Sequence, residues 1–302
     1  MASYYNEHTI IWHNGQFVKA SEARIDLYSQ SLHYGYSVFE GIRAYRTESG
    51  ETKIFKATEH YDRLRASADA LNIPYHWSTA ELIAVTYEVL SRNSFSDAYI
   101  RPVVYAPANM SFNRNSESYL VIEAWEMQPF LGDKLLRVKL SSFQRPNPQG
   151  FRIHAKAGGH YVNSILASQE AKAAGYDEAL LTDVHGYVAE GPGANLFLEK
   201  DGKLITPSTG NILPGITRAT VIELCREMEI PCEERKVTVQ ELLRADAVFY
   251  CGTAAEIIGW ESLDDMVLRM DWDKTYSRRI QQAYKSLVTE KQPVAHSKAI
   301  PA

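Results

Sequence analysis

A lysine set among small residues, Ala155-Lys156-Ala157-Gly158-Gly159-His160-Tyr161, is the group in this chain best placed to attack a carbonyl. Small neighbours leave room for a bulky group on the amine, and a desolvated or cation-lined pocket would favour its neutral, nucleophilic form. A solvated lysine beside a loop satisfies the same residues and is the commoner case. Glu190 ends Tyr187-Val188-Ala189-Glu190 and faces Gly191-Pro192-Gly193, a turn that lets backbone approach a ligand. A fixed carboxylate there could keep a pyridinium nitrogen protonated by charge pairing; an ordinary loop glutamate is the alternative. Leu213-Pro214-Gly215-Ile216-Thr217-Arg218 leads into a helix whose free amides and dipole favour phosphate. A Pro/Gly loop with a threonine cap would look the same.

Three further segments are weaker. Cys251-Gly252-Thr253-Ala254-Ala255-Glu256 follows an apolar run, and its glycine and small side chains suit close approach of a ligand or a plain turn. Arg63, in His60-Tyr61-Asp62-Arg63-Leu64, could meet phosphate or form half of a surface salt bridge. Leu32 to Arg43 mixes aromatics, glycines and an arginine, which suits a pocket wall or core packing.

The elements that must carry these groups can be read from pattern. Thr9–Trp12 and Gln16–Lys19 flank Asn14-Gly15, a hairpin signal. Thr52–Lys56 reads as a strand and Ala57–Leu71 as a helix. Ser78-Thr79-Ala80-Glu81 is a capping box opening a helix with Leu82, Ile83, Thr86, Val89 and Leu90 on one face. Strands Ala98–Tyr105 and Tyr119–Trp125 complete a first α/β unit, residues 1–130. Residues 131–140 form the joining loop and the start of the second unit, with Pro129–Lys134 a plausible linker and Leu135–Ser142 a strand. Residues 141–302 form a larger, strand-rich α/β unit. It holds a loop, Arg145–Gly150, a helix from Tyr161 stopped at Gly175, and strands Glu178–Thr182, Gly186–Ala189, Asn195–Glu199 and Lys203–Thr206. A helix from Thr217, one capped at Thr238, a buried strand Ala247–Gly252 and an amphipathic helix Lys274–Val288 follow, then a polar tail from Thr289.

Composition limits the function classes. The 302 residues carry a net charge of −5, and no long basic run stands out, against a nucleic-acid binder. No apolar stretch reaches membrane-spanning length. The first residues lack the basic-then-apolar order of a signal peptide. Cys225, Cys232 and Cys251 lack metal-like spacing, so no metal is expected, and reduced thiols in a cytoplasm are the simplest reading. Eighteen tyrosines leave some for a site as well as for a core.

In order along nearly the whole chain, these segments resemble the branched-chain amino-acid aminotransferases, fold-type IV pyridoxal-phosphate enzymes. The resemblance rests on Tyr34-Gly35, Phe39-Glu40-Gly41-Ile42-Arg43, Tyr99-Ile100-Arg101-Pro102, Ala155-Lys156-Ala157-Gly158-Gly159, Glu190-Gly191, Asn195-Leu196-Phe197, Pro214-Gly215-Ile216-Thr217-Arg218 and Gly252-Thr253-Ala254-Ala255-Glu256. It implies a two-domain α/β (α+β) fold like that of D-amino-acid aminotransferase, pyridoxal 5′-phosphate as cofactor, and amino transfer between leucine, isoleucine or valine and 2-oxoglutarate. By the same resemblance Lys156 would bond the cofactor and shuttle the proton, Glu190 hold its ring nitrogen, and Tyr161 meet its phenolic oxygen. Arg63, the amides of Ile216 and Thr217, and Thr253 would cradle the phosphate. Tyr34, Phe39, Arg43, Tyr99, Arg101, Ala254 and Ala255 would shape the substrate pocket. It implies a homodimer or larger homo-oligomer whose active site lies at the subunit interface. Members often carry a glycine-rich stretch where this chain has Ala106–Asn113, a difference that bears on side-chain preference. D-Amino-acid aminotransferase and aminodeoxychorismate lyase share the fold; a protein that only binds a phosphate ligand would need neither Lys156 nor Glu190.

Overall fold

The first hairpin forms as its turn residues require. Asn14 and Gly15 both take positive φ, 49° and 87°, the pairing that joins twisted strands in two residues. They link β1 (Ile10–His13) to β2 (Gln16–Lys19) in a computed structural model that describes residues 4–127, 131–132 and 134–291. Next come α1 (Gln30–Tyr34), β3 (Ser37–Phe39), β4 (Ile42–Arg46) and β5 (Thr52–Ile54). Helices α2 (Ala57–Ala70) and α3 (Thr79–Arg92) precede β6 (Ala98–Tyr105) and β7 (Tyr119–Trp125). The seven strands form one antiparallel sheet, ordered β2-β1-β7-β6-β4-β5 with β3 also on β6. Ser78 caps α3 by accepting from the Glu81 amide at 3.2 Å, and Leu82, Thr86, Val89 and Leu90 turn inward onto the sheet.

The second sheet is mixed. It is built from β8 (Leu136–Gln144), β9 (Glu178–Thr182), β10 (Val188–Glu190), β11 (Asn195–Lys200), β12 (Lys203–Thr206), β13 (Cys232–Glu234), β14 (Ala247–Gly252), β15 (Glu256–Leu263) and β16 (Met266–Val267). The order is β10-β9-β8-β15-β14-β11-β12-β13, with β16 on β15. β8 runs parallel to both β9 and β15, and β12 parallel to β13. Helix α4 (Tyr161–Ala173) packs against β8 and β9, and α5 (Ile216–Glu227) and α7 (Tyr276–Val288) against β14 and β15; α6 (Val239–Leu242) is short. One apolar cluster crosses between the sheets: Tyr45 of β4 packs with Phe197, Phe249, Ile280 and Tyr284.

Several elements differ from their sequence readings. The stretch from Leu32 to Arg43 supplies the end of α1, β3 and the start of β4, three short elements with no room to show a period. β13 and β15 were not expected. β15 has no clean alternation because both its faces are buried, and Gly259 interrupts it. Gly259 is required there: a Cβ would lie 2.8 Å from both Leu135 and Trp272. Gly186, read as a strand start, lies in a turn with φ 81°. The last helix starts at Tyr276, capped by Thr275, after a separate 3-10 turn at Trp272–Lys274. Residues 129–130 and 133 of the expected linker, and 292–302 of the expected tail, lie outside the described residues.

Backbone joins the first sheet to the segment carrying Lys156. The Phe39 amide donates to the Lys156 carbonyl at 3.0 Å, the Gly159 amide donates to the Gly35 carbonyl at 3.0 Å, and Val38 bridges Ala157. The approach depends on glycine: Gly35 has φ 65°, and a Cβ on it would lie 2.7 Å from the Gly159 Cα. Gly35→Ala therefore adds left-handed strain to a backbone clash and is expected to destabilise the protein by about 2–4 kcal/mol. Urea denaturation checks this, and an unchanged midpoint would show that the seam yields easily.

Candidate active site

A cavity between the two sheets collects residues from both. Arg63, Tyr99, Lys156, Tyr161, Glu190, Ile216, Thr217, Thr253 and Ala254 line it, all singled out from sequence. Phe39 stands just behind, edge-on to the Tyr161 ring at 4.8 Å. Arg101 lies behind Phe39 and Tyr99, its guanidinium carbon 4.6 and 5.3 Å from their ring centroids. Arg43 and Ala255 are buried but do not reach the cavity. Tyr34 is half exposed on α1, lies against Phe112 and does not line this chain's own cavity.

Lys156 is fixed at both backbone ends. Its amide donates to Ser67 Oγ at 3.0 Å, and its carbonyl is held by Phe39. The Nζ atom donates to Tyr161 Oη at 2.7 Å and lies 4.9 Å from the Phe39 ring centroid. The amine thus meets one hydroxyl and two aromatic rings.

Glu190 ends β10 on another wall and is buried. Its oxygens accept from the Leu213 amide at 3.2 Å and from Asn195 Nδ2 at 2.9 Å, and Arg145 Nε stands 2.9 Å away as an ion pair with poorly aligned N–H. Burial pushes its carboxyl above its ordinary range, and Arg145, the Leu213 amide and Lys156 only partly offset that. A carboxylate so desolvated is a strong acceptor for a cationic N–H placed against it.

The third wall is the start of α5. Gly215 is the N-cap and gives no side-chain cap, so the first-turn amides of Ile216 and Thr217 face the cavity at the positive end of the helix. A Cβ on Gly215 would run into Asn195 Oδ1, so the glycine is needed for α5 to sit against β11. Arg63 closes the cup: its Nη1 donates to the Pro214 carbonyl at 2.9 Å. Its Nε and Nη2 donate to Glu40 at 2.7 and 2.9 Å, while His60 Nδ1 donates to the same carboxylate at 2.7 Å. Arg63 is neither a surface residue nor half of a surface salt bridge. It is an arginine pinned in the wall by a carboxylate with no solvent exposure.

Sequence reasoning missed the partners. Glu40 stood inside a noted motif, and the signal for its role was His60 and Arg63, three residues apart on one helix face. Arg145 and Asn195 gave no local sign; Arg145 opens a Pro/Asn-rich loop that reads as solvent-facing. No cluster of three or more metal-ligating side chains occurs among the described residues.

An amine, a buried carboxylate and a helix start beside a pinned arginine fit the separate ends of a phosphorylated pyridine aldehyde. Comparison with known proteins agrees. The family model for class IV aminotransferases matches residues 37–263. The branched-chain-amino-acid aminotransferase of Salmonella typhimurium is 39% identical over 287 residues, 92% of this chain and 93% of that protein. The branched-chain aminotransferase of Thermoproteus uzoniensis, solved with norvaline, superposes with a TM-score of 0.90 at 35% identity, covering 94% of this chain and 96% of that one. The T.th. branched-chain amino acid aminotransferase, complexed with N-(5′-phosphopyridoxyl)-L-glutamate, gives a TM-score of 0.89 at 37% identity, covering 95% and 96%. The chain belongs to the class IV aminotransferases and has the two-domain fold-type IV architecture. Its activity is the transamination of branched-chain amino acids, with pyridoxal phosphate as cofactor.

The Glu40 clamp gives a test. Arg63 and His60 hold the Glu40 carboxyl far below its ordinary value of 4.5, and burial lowers the His60 imidazole. A depressed carboxyl stabilises the fold above its unfolded pKa, and that contribution is lost only as pH falls through the much lower folded value. Glu40 therefore does not titrate between pH 6 and 8. Glu40→Gln is expected to destabilise by about 3–5 kcal/mol, equally at both pH values, because it strands a buried guanidinium. Urea unfolding at the two pH values checks this; a loss confined to one would mean that another group carries the effect.

Proposed function

We propose that Lys156, Tyr161, Glu190, Arg63, Thr253 and the amides of Ile216 and Thr217 hold the cofactor, and that Lys156 is the catalytic residue. The observation that carries this is the meeting of Lys156 Nζ, the Glu190 carboxylate and the α5 N-terminus in one cavity. When bound, pyridoxal phosphate supplies the electron sink that stabilises charge at the substrate Cα. Glu190, supported by Arg145 and Asn195, keeps a proton on the ring nitrogen. The α5 amides, Thr217, Thr253 and Arg63 bind the phosphate, with Glu40 aiming the guanidinium. Lys156 Nζ would carry the proton released from the substrate Cα, and Tyr161 Oη, 2.7 Å away, would orient the amine.

The amino acceptor in this reading is 2-oxoglutarate. Leucine, isoleucine or valine needs apolar walls, given by Phe39 and Tyr99, with Ala254 and Ala255 keeping the turn opposite small. Glutamate brings a second carboxylate that cannot be buried unpaired. Arg101 answers it: the guanidinium donates to Tyr99 Oη at 3.2 Å, and its buried Nε has no partner. Support comes from the T.th. relative, complexed with a phosphopyridoxyl glutamate.

The same reading includes a homodimer. Leu27, Tyr28, Leu32, Tyr34, Met110 and Phe112 are exposed around α1 and the 106–113 stretch, an apolar face of the kind that marks an interaction surface. A second copy covers it, and Tyr34 then serves the neighbouring cavity. The domain division at 1–130, 131–140 and 141–302 belongs here too, supported by strands of one sheet within 10–125 and of the other within 136–267. No described helix is long and apolar enough to cross a membrane; we place the protein in the cytoplasm.

Lys156→Ala is expected to lower turnover below about one-thousandth of wild type while the variant still takes up cofactor through its phosphate cup. Turnover near the wild-type rate would remove Lys156 from the mechanism. Arg101→Leu should slow the half-reaction with glutamate by about a hundredfold and leave that with isoleucine within about threefold. Stopped-flow measurement of each half-reaction decides; equal losses would make Arg101 a general support of the site.

A further inference from the structure

The turn from Thr253 to Ala255 joins β14 to β15, with Gly252 paired to Glu256 across it. A three-residue hairpin of this kind places its closing residue in the left-handed region, where glycine is the usual occupant. Here that residue is Glu256, with φ 54°. It is also buried. A glutamate in a left-handed, buried position invites the question of what its carboxylate does.

That carboxylate lies between two cations from different parts of the fold. Lys285 Nζ of α7 is 3.2 and 3.4 Å from its oxygens, and Arg43 Nη2 of β4 is 3.9 Å away. The Arg43 guanidinium is buried, with Nε and Nη1 unpartnered, and Glu256 is the only acid with which it forms an ion pair among the described residues. Both cations also lie against the Tyr45 ring, at 5.0 Å for Arg43 and 5.7 Å for Lys285. The Arg43 backbone pairs in register with Tyr99, which lines the cavity. The ion pair therefore ties the cavity wall of the first sheet to the turn contributed by the second.

We infer that Glu256 is a positioning residue for the amino-acid substrate: its carboxylate, held by Arg43 and Lys285, fixes the Thr253–Ala255 turn against the strand that carries Tyr99. The inference rests on the reading above that this turn shapes the substrate pocket. The carboxylate does not line the cavity. It sets the distance between two walls, and a wall held out of place weakens binding of ground and transition state alike, which raises KM and largely spares kcat.

Two holoenzyme variants test it by different routes. Glu256→Gln keeps the size and the strained backbone but removes the charge. Glu256→Gly removes the charge and lets the backbone take its conformation freely, so its melting temperature should stay near or above that of Glu256→Gln. Both are expected to raise KM for the branched-chain amino acid about tenfold, with kcat changed less than about threefold. A KM within about twofold of wild type in either folded variant overturns the proposal, as does a KM effect that tracks melting temperature and is absent in the glycine variant. If neither variant folds, Lys285→Met, at an exposed position, carries the test; it should raise KM about threefold, and an unchanged KM overturns the proposal. Ala254→Leu separates the premise from the inference. A KM that Leu at 254 leaves unchanged would mean that the turn does not shape the pocket. A KM that responds to Leu at 254 but not to the Glu256 variants would mean that the turn matters and Glu256 does not hold it.

Discussion

Lys156 is placed by backbone. Its carbonyl is held by Phe39, its amide by Ser67, and three residues further on Gly159 is bonded to Gly35. This seam between residues 35–39 and 156–159 sets where the amine stands relative to every other wall of the cavity. It exists only because side chains are missing from it: a Cβ on Gly35 or Gly158 would collide with its neighbour across the seam. The small residues around Lys156 leave room above the amine, and they also let one strand edge lie directly against the loop below it.

Two buried carboxylates then divide the electrostatics of the cavity. Glu40 meets a guanidinium through two hydrogen bonds and the His60 imidazole through a third, and its pKa is drawn downward. Glu190 is as deeply buried, yet its arginine approaches with a misaligned N–H, and burial wins. The first is a strut that aims Arg63 at the α5 N-terminus. The second keeps unspent attraction for a cation delivered from outside. Equal burial with unequal pairing gives one fold both a static and a receptive acid.

What could be read from sequence follows from locality. Lys156, Glu190 and the Pro214–Arg218 segment each sit in a short stretch whose small residues, glycine or proline mark a close approach, and the structure brings all three to one cavity. α2, α3 and the first hairpin were visible because caps, turn residues and periodic apolar positions lie within a few residues of one another. β15 was hidden: it is buried on both faces, broken by Gly259 and opened by a glutamate. Arg145 and the Glu40 clamp were hidden for another reason. Their meaning lies in partners 45 and 23 residues away, to Glu190 and Arg63 respectively, which no local window contains. Tyr34, lying against Phe112 rather than lining its own cavity, has a surface position that a motif alone does not convey.

The parallel pairing of β8 with both β9 and β15 has a consequence for how the chain acquires its shape. β8 is complete by Gln144, but one of its neighbours begins only at Glu256. The first sheet, by contrast, has every strand by Trp125. During synthesis the amino-terminal half can therefore condense early, while β8 waits with an open edge for more than a third of the chain to follow. Long-range parallel contacts of this kind are slow to form and leave exposed edges in the interval. The Thr253–Ala255 wall arrives with the same late segment. A finished cavity thus certifies a finished chain, and any ligand that needs all of its walls selects molecules that have completed folding from those that have not.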